Sequence, residues 1–166
     1  MTGPMSGDHV QRIGFEARIA PEPFDPDAES RRFRARNPQA GAIAVFLGQV
    51  RGEMGRAAGL ELEHYPGFTE SVVAASAAGA RARFRLDDLL VLHRVGALQP
   101  GEPIVLVAAA ARHRRDAFDA AEFMMDHLKT DAPFWKREIA PDGASTWIEP
   151  RPEDRRDLAR WMESKA

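Results

Sequence analysis

Hydrophobic and polar residues alternate along this chain in two rhythms, and the switches between them outline a mixed α/β protein. Ile13, Phe15, Ala17 and Ile19 alternate with polar neighbours, the period of a half-buried strand. PEPFDPDAE reads as a turn into a helix, with Asp25 as N-cap and Pro26 at the first helical position. That helix is expected to stop before Asn37-Pro38, because proline disfavours helical backbone in the residue before it. AGAIAVFLGQV is apolar throughout and predicts a central strand. RGEMGRAAG is a glycine-punctuated loop, and the renewed alternation in LELEHY predicts a second strand returning from it.

Thr69 is placed to cap a helix running through Val72, Val73, Ala80 and Phe84. LLVLHRVG then reads as a buried strand, QPGE as a turn and PIVLVAAAA as a further strand. From Arg114 onward Phe118, Ala121, Met125 and Leu128 recur at helical spacing, which predicts an amphipathic helix ended by Pro133. FWKREI and STWIE flank the turn residues APDGA as a hairpin, and Pro152 starts a C-terminal helix ending near Trp161. Several links between strands are short, which favours a mixed or antiparallel sheet over a doubly wound one. Residues 1–8 are mostly small and polar and are expected to be disordered, leaving 9–166 as a single domain.

Composition narrows the chemistry. The 166 residues are 44% hydrophobic, enough for one real core, and the formal net charge of -2 argues against a general nucleic-acid binder. No apolar run is long enough to span a bilayer, and MTGPMSGDHV lacks the hydrophobic stretch of a signal peptide; a cytoplasmic protein is expected. There is no cysteine, which excludes disulfides, thiolate nucleophiles, persulfides and cysteine-ligated metals. Sulfur chemistry here would need sulfur brought by another molecule. Of the 23 basic side chains only Lys129, Lys136 and Lys165 are lysines. A bias toward arginine accounts for the ratio, yet two of the survivors stand together in LKTDAPFWK. An amine can act as nucleophile or proton shuttle where a guanidinium cannot.

Three groups of residues are candidates for a site. Arg112, His113, Arg114 and Arg115 lie between a predicted strand and helix, where backbone N–H groups and guanidiniums together suit a phosphate; a solvated charged turn is the competing reading. Arg51 ends another apolar strand just before a glycine loop. Lys129, in the last turn of its helix, and Lys136, beyond Pro133, can be brought toward one pocket by the chain reversal. Each alone is more ordinarily a solvated cation. His93 reads as a hydrogen-bonded core residue, and His64 and His127 have no partner that the sequence identifies. His113 and Asp116 lack further ligands, so neither a metal nor a cofactor is expected. Hydrolase elbows, phosphate-binding P-loops and dinucleotide fingerprints are absent.

The motifs FLGQVRG, LELEHYPGFTE, VLHRVG followed by PGE, RHRRDAFDAAEFMMDHLKTDAPFWKRE and the closing W-I-E, in this order, closely resemble the large, catalytic subunit family of molybdopterin synthase, the MoaE family. The resemblance implies an α/β hammerhead fold with an additional small antiparallel sheet. It implies a homodimer of large subunits within a heterotetramer, with a small ubiquitin-like sulfur-carrier subunit at each end. The carrier's C-terminal Gly-Gly thiocarboxylate supplies two sulfurs that convert cyclic pyranopterin monophosphate to molybdopterin, in molybdenum cofactor biosynthesis. By the same resemblance Lys129 and Lys136 match the active-site lysines; Arg51, His113 and Arg114 match the pocket for the phosphate-bearing pterin; and Gln49, Val50, Arg137 and Glu138 fall in substrate-contacting segments. No nucleic acid and no membrane are implied. The chain departs from the pattern in the loop GEMGR, which lacks an asparagine common after V-R, and at Ala111, where serine is common. A noncatalytic pterin-phosphate binder and an interaction scaffold are the alternatives; retention of both lysines speaks against the former.

Overall fold

The computed structural model describes residues 8–12, 14–52 and 58–163. The expected disorder of residues 1–8 and the loop departure at residues 52–56 lie outside them, except that Asp8 already belongs to a strand and Gly52 is described. Two sheets and four helices are present, in the order β1 (Asp8–Arg12), β2 (Phe15–Ala20), α1 (Pro26–Arg36), β3 (Ala42–Gln49), β4 (Gly59–His64), α2 (Phe68–Arg83), β5 (Leu86–Arg94), β6 (Gly96–Leu98), β7 (Pro103–Ala111), α3 (Arg114–Thr130), β8 (Phe134–Ile139), β9 (Ser145–Ile148) and α4 (Pro152–Glu163). The larger sheet has the order β1-β2-β5-β7-β3, and the smaller has the order β6-β4-β8-β9. Only β2 and β5 pair in parallel, so the sheet is mixed, as the short links require. With its additional small antiparallel sheet, this is the α/β hammerhead arrangement expected from the motifs.

The helix signals act through identifiable groups. The Asp25 carboxylate accepts hydrogen bonds from the backbone N–H groups of Asp27 and Ala28 at 2.9 and 3.1 Å, and Asn37 ends α1. Thr69 does not cap α2. Gly67 holds the cap position at φ 82°, and the Thr69 hydroxyl, one residue inside the helix, accepts the Tyr65 N–H at 3.0 Å. A left-handed cap suits glycine, and the threonine fastens the preceding turn instead.

The main core lies between the larger sheet and α2 and α3. Val105, Val107, Ala109 and Ala111 of β7 join Leu89 and Val91 of β5 there, packed with Val73, Ala77, Met124 and Leu128. The alternate residues Leu90, Leu92, Leu106, Ala108 and Ala110 face Phe33 of α1. Both faces of β5 and β7 are covered, which is why their sequences read as unbroken apolar runs. Ala111 is fully buried in the main core. A serine hydroxyl at that position would therefore begin inside the packing.

Two expectations need correction. β3 is the edge of the larger sheet, not a central strand, and Val45, Phe46 and Leu47 are exposed on it. An apolar run reports that a strand is covered by something; it does not say whether the cover belongs to the same chain. β4, the expected strand returning from the loop, pairs with β6 and β8 in the second sheet. Phe118 was placed on the buried stripe of α3 and is 65% exposed. It lies one residue, about 100°, round the helix from the buried Ala117.

Candidate active site

The antiparallel register of β3 and β7 decides which site residues meet. Ala42 is opposite Ala111 and Gln49 is opposite Pro103, so the two strands run the length of the sheet in opposite directions. At roughly 3.3 Å per residue the 9 residues of β7 span about 26 Å. Arg51 follows one end of this pair, and Arg112, His113 and Arg114 follow the other. α3 then returns along the sheet for 17 residues, about 25 Å at roughly 1.5 Å each. Lys129, in its last turn, is thereby carried back toward the end that holds Arg51. Within one chain the lysines and Arg51 share one end of the sheet, and the His113–Arg114 group occupies the opposite end.

The lysine end is built by the smaller sheet. On β8, Phe134, Lys136 and Glu138 share one face, and the register sets Phe134 opposite His64 and Lys136 opposite Leu62. Leu62 is buried with Val50 and Leu98, so this is the inner face. Phe134 stacks on His93 of β5 with centroids 3.8 Å apart and planes 10° from parallel, joining the two sheets. His64 Nε2 stands 3.5 Å from the buried Glu70 carboxylate. The Thr69 hydroxyl, besides accepting from Tyr65, lies 3.4 Å from the Pro133 carbonyl oxygen and ties α2 to the α3–β8 turn.

Charge is concentrated there. Burial pushes the Lys136 amine below the ordinary lysine value, and the nearby Lys129 ammonium pushes it the same way; Asp154 at the start of α4 opposes this, while Arg151 adds to it. Burial lowers His93 to about 3, with Lys136, Lys129 and His64 contributing repulsion. The two lysines are thus within electrostatic reach of each other and of His93, as the chain reversal at Pro133 suggested. An amine of lowered basicity gives up its proton more readily than a solvated lysine and is better suited to proton transfer.

The remaining candidates divide. Gln49 is exposed at the β3 end. Val50 is buried and fixed by two backbone bonds, its N–H to the Glu102 carbonyl at 2.9 Å and its carbonyl to the Gly101 N–H at 2.8 Å. These hold Arg51 beside the Gln99–Glu102 turn. Glu138 lies on the lysine face of β8, but Arg137 is on the opposite face, where its guanidinium donates to Glu61 at 2.6 Å and lies over the Trp147 ring at 5.1 Å. The structure does not bring Arg137 to the lysines. His113 is the N-cap of α3, without a side-chain capping bond, and Arg112, Arg114 and Arg115 are exposed around it. Among the described residues none of Arg51, Arg112, Arg114 and Arg115 is held in an ion pair with a carboxylate. Guanidiniums at a helix N-terminus with no internal counter-ion are available to an anionic ligand.

Sequence reading missed the surroundings of the lysines. Nothing in EHYPGFTE announces that His64 and Glu70 meet, or that Asp154, in another helix, approaches Lys136. His93 was legible only as a buried histidine.

The model of the family described as MoaE protein matches residues 19–131 of this chain. The chain belongs to the MoaE family. A molybdopterin synthase catalytic subunit from Caulobacter vibrioides is 49% identical over 143 residues, covering 86% of this chain and 95% of that protein. Among solved structures, the molybdopterin biosynthesis MoaE protein from Burkholderia ambifaria superposes with a TM-score of 0.75 at 49% identity, over 88% of this chain and 97% of the other. Molybdopterin synthase from Staphylococcus aureus gives a TM-score of 0.70 at 30% identity, over 79% of this chain and 95% of that one. Lys136, Arg137 and Glu138 lie beyond the segment matched by the family model, while Lys129 lies within it.

Proposed function

We propose that this MoaE-family chain is the catalytic subunit of molybdopterin synthase and transfers two sulfurs from a small carrier's thiocarboxylate to cyclic pyranopterin monophosphate, forming molybdopterin. The observation that carries this reading is the amine pair of Lys129, exposed at the end of α3, and Lys136, half-buried on β8, brought within electrostatic reach of each other in a chain that has no cysteine. Sulfur must arrive on a partner, and a ubiquitin-like carrier ending in a Gly-Gly thiocarboxylate brings it. Once the carrier's sulfur has bonded to the pterin side chain as a thioester, water must attack the acyl carbon and break its C–S bond, so that the sulfur stays on the pterin and the carrier tail departs as a carboxylate. Cationic amines stabilise the developing charge, and an amine of lowered basicity can move the associated proton.

The phosphate-binding residues call for a second copy of the chain. Arg51 and the His113–Arg114 group are separated by the length of the sheet, but β3 is an open edge carrying exposed Val45, Phe46 and Leu47. A twofold axis beside that edge would set β3 antiparallel to its counterpart. The Arg51 end of one copy would then face the Ala42 end of the other, where Ala42 pairs with Ala111 and the chain continues into His113 and Arg114. Lysines and Arg51 from one copy, with His113 and Arg114 from the other, would enclose one substrate. Gln49, Val50 and Glu138 line the first copy's share, and Arg137 acts on the outer face of the small sheet. The assembly is then a dimer of large subunits with one carrier at each end, a heterotetramer working in the cytoplasm. Among the described residues no helix is long and apolar enough to cross a membrane.

The test is to mix the purified protein with thiocarboxylated carrier and cyclic pyranopterin monophosphate and to follow dithiolene formation. Product that requires the carrier is expected. Tight binding of the pterin phosphate with no turnover under any carrier condition would instead leave a noncatalytic pterin-phosphate protein.

A further inference from the structure

His93 is the buried titratable group at the lysine end that the sulfur-transfer reading does not use. Three observations fix its state. Its ring is stacked against Phe134, 3.8 Å between centroids, and is 8% exposed. Its Nδ1 is 2.7 Å from the backbone carbonyl oxygen of Arg94, a group that can only accept, so the proton resides on Nδ1. A neutral imidazole protonated at Nδ1 carries its lone pair on Nε2, on the other side of the ring. The charged groups that reach this ring are Lys136, Lys129 and His64, all from elements packed against the end of β5. His64 is in turn paired with Glu70, and Lys136 also feels Asp154 and Arg151.

We propose that His93 is a positioning residue for the lysine pair, a neutral acceptor whose Nε2 takes a hydrogen bond from the Lys136 amine and aims the rest of that amine at the substrate. The placement brings the two groups within electrostatic reach of each other, and the hydrogen bond between them is the step proposed beyond it. Phe134 and Lys136 are two residues apart on the same face of β8, so the ring that Phe134 clamps lies beside the root of the Lys136 side chain. Lys136 is partly buried, and among the described residues no carboxylate forms an ion pair with it. A partly buried amine without an acceptor is costly, and an aromatic acceptor meets that need without adding negative charge to a recess that must admit a phosphorylated substrate. Burial lowers the basicity of the ring, to about 3, which favours a neutral acceptor over a proton relay. Its contribution is orientation, which matters because a small misplacement of a reacting group costs rate steeply.

The proposal rests on the sulfur-transfer reading for its kinetic consequence but not for its structural one, and the experiment separates them. His93→Phe keeps the ring stack and removes both nitrogens, while His93→Gln restores a polar acceptor. The first measurement needs no substrate: an NMR titration of the lysine ε-methylene groups in the intact dimer, with Lys136 assigned through Lys136→Arg. Loss of an acceptor destabilises the ammonium more than the amine. The Lys136 midpoint is therefore expected to fall in His93→Phe, by about half a pH unit or more, and to return most of the way in His93→Gln. The second measurement is single-turnover sulfur transfer at saturating substrate. A loss of roughly 10-fold or more is expected in His93→Phe with substrate affinity unchanged, and partial recovery in His93→Gln. An unshifted Lys136 midpoint in both variants overturns the proposal, whether or not the protein makes product. A shifted midpoint in a protein whose wild type never turns over would uphold the contact and overturn the function assigned to the site.

Discussion

The carbonyl oxygen of Arg112 lies 2.2 Å from where a Cβ on Gly41 would stand. β3 therefore starts against the very residue that leads into His113 and Arg114, and only glycine allows the approach. Gly41→Ala must push the two segments apart. Expected is a loss of stability of about 1 to 3 kcal/mol, the range for an overpacked site, with a larger proportional loss of substrate affinity than Arg115→Ala produces. Thermal melts and equilibrium binding of the pterin phosphate check both. Arg114→Ala, at an exposed position, should lower affinity with little change in melting temperature.

For the amines, Lys129→Arg and Lys136→Arg keep positive charge and remove the capacity to lose a proton near neutrality. Both variants should fold, dimerise and bind the carrier. Lys129→Arg is expected to form almost no dithiolene, and Lys136→Arg to be impaired less completely. Near-normal single-turnover rates in Lys129→Arg would reduce that residue to an electrostatic role.

The exposed apolar edge of β3 yields a prediction about assembly. Phe46→Glu puts a charge on a side chain that is 42% exposed in the single chain. If that edge forms a specific interface of roughly 1,200 to 2,000 Å², the variant should run as a monomer in sedimentation, keep its fold by circular dichroism and lose activity. A variant that remains dimeric and active would move the interface elsewhere.

Burial of His93 gives stability a definite pH dependence. Its folded value of about 3 lies below the ordinary histidine value of 6.5, so between these pH values the unfolded chain binds a proton that the folded chain refuses. The stability associated with this group is fully present above pH 6.5 and is lost as the pH falls toward 3, by up to about 5 kcal/mol. Urea titrations across that window should show a steeper decline in wild type than in His93→Phe, which has no proton to take up there.

The helices and most strands were legible because local chemistry and burial agree on them. Asp25 and Pro26 open α1, the turn APDGA closes the β8–β9 hairpin, and β5 and β7 are apolar on both faces because both faces are covered. β6, with 3 residues, was too short to show a period. The edge position of β3 was hidden because its apolar residues look alike whether a neighbouring strand or another copy covers them. Lys129 and Lys136 were visible as rare amines in an arginine-rich chain, and the turn at Pro133 suggested that they meet. The separation of Arg51 from His113 and Arg114 was not visible, because it follows from the β3–β7 register, and register depends on pairing between segments some 60 residues apart.

That separation makes subunit mixing the most direct test of a shared site for sulfur transfer. Lys129→Arg, impaired in turnover, and Arg114→Ala, impaired in substrate affinity, are unfolded and refolded together in equal amounts and assayed with thiocarboxylated carrier and cyclic pyranopterin monophosphate at a substrate concentration where each alone gives little product. In a twofold dimer whose sites each take lysines from one copy and Arg114 from the other, every mixed dimer contains one intact site, so random pairing restores about a quarter of wild-type activity. A mixture no more active than its two parents, beside an active refolded wild type, would contradict the account.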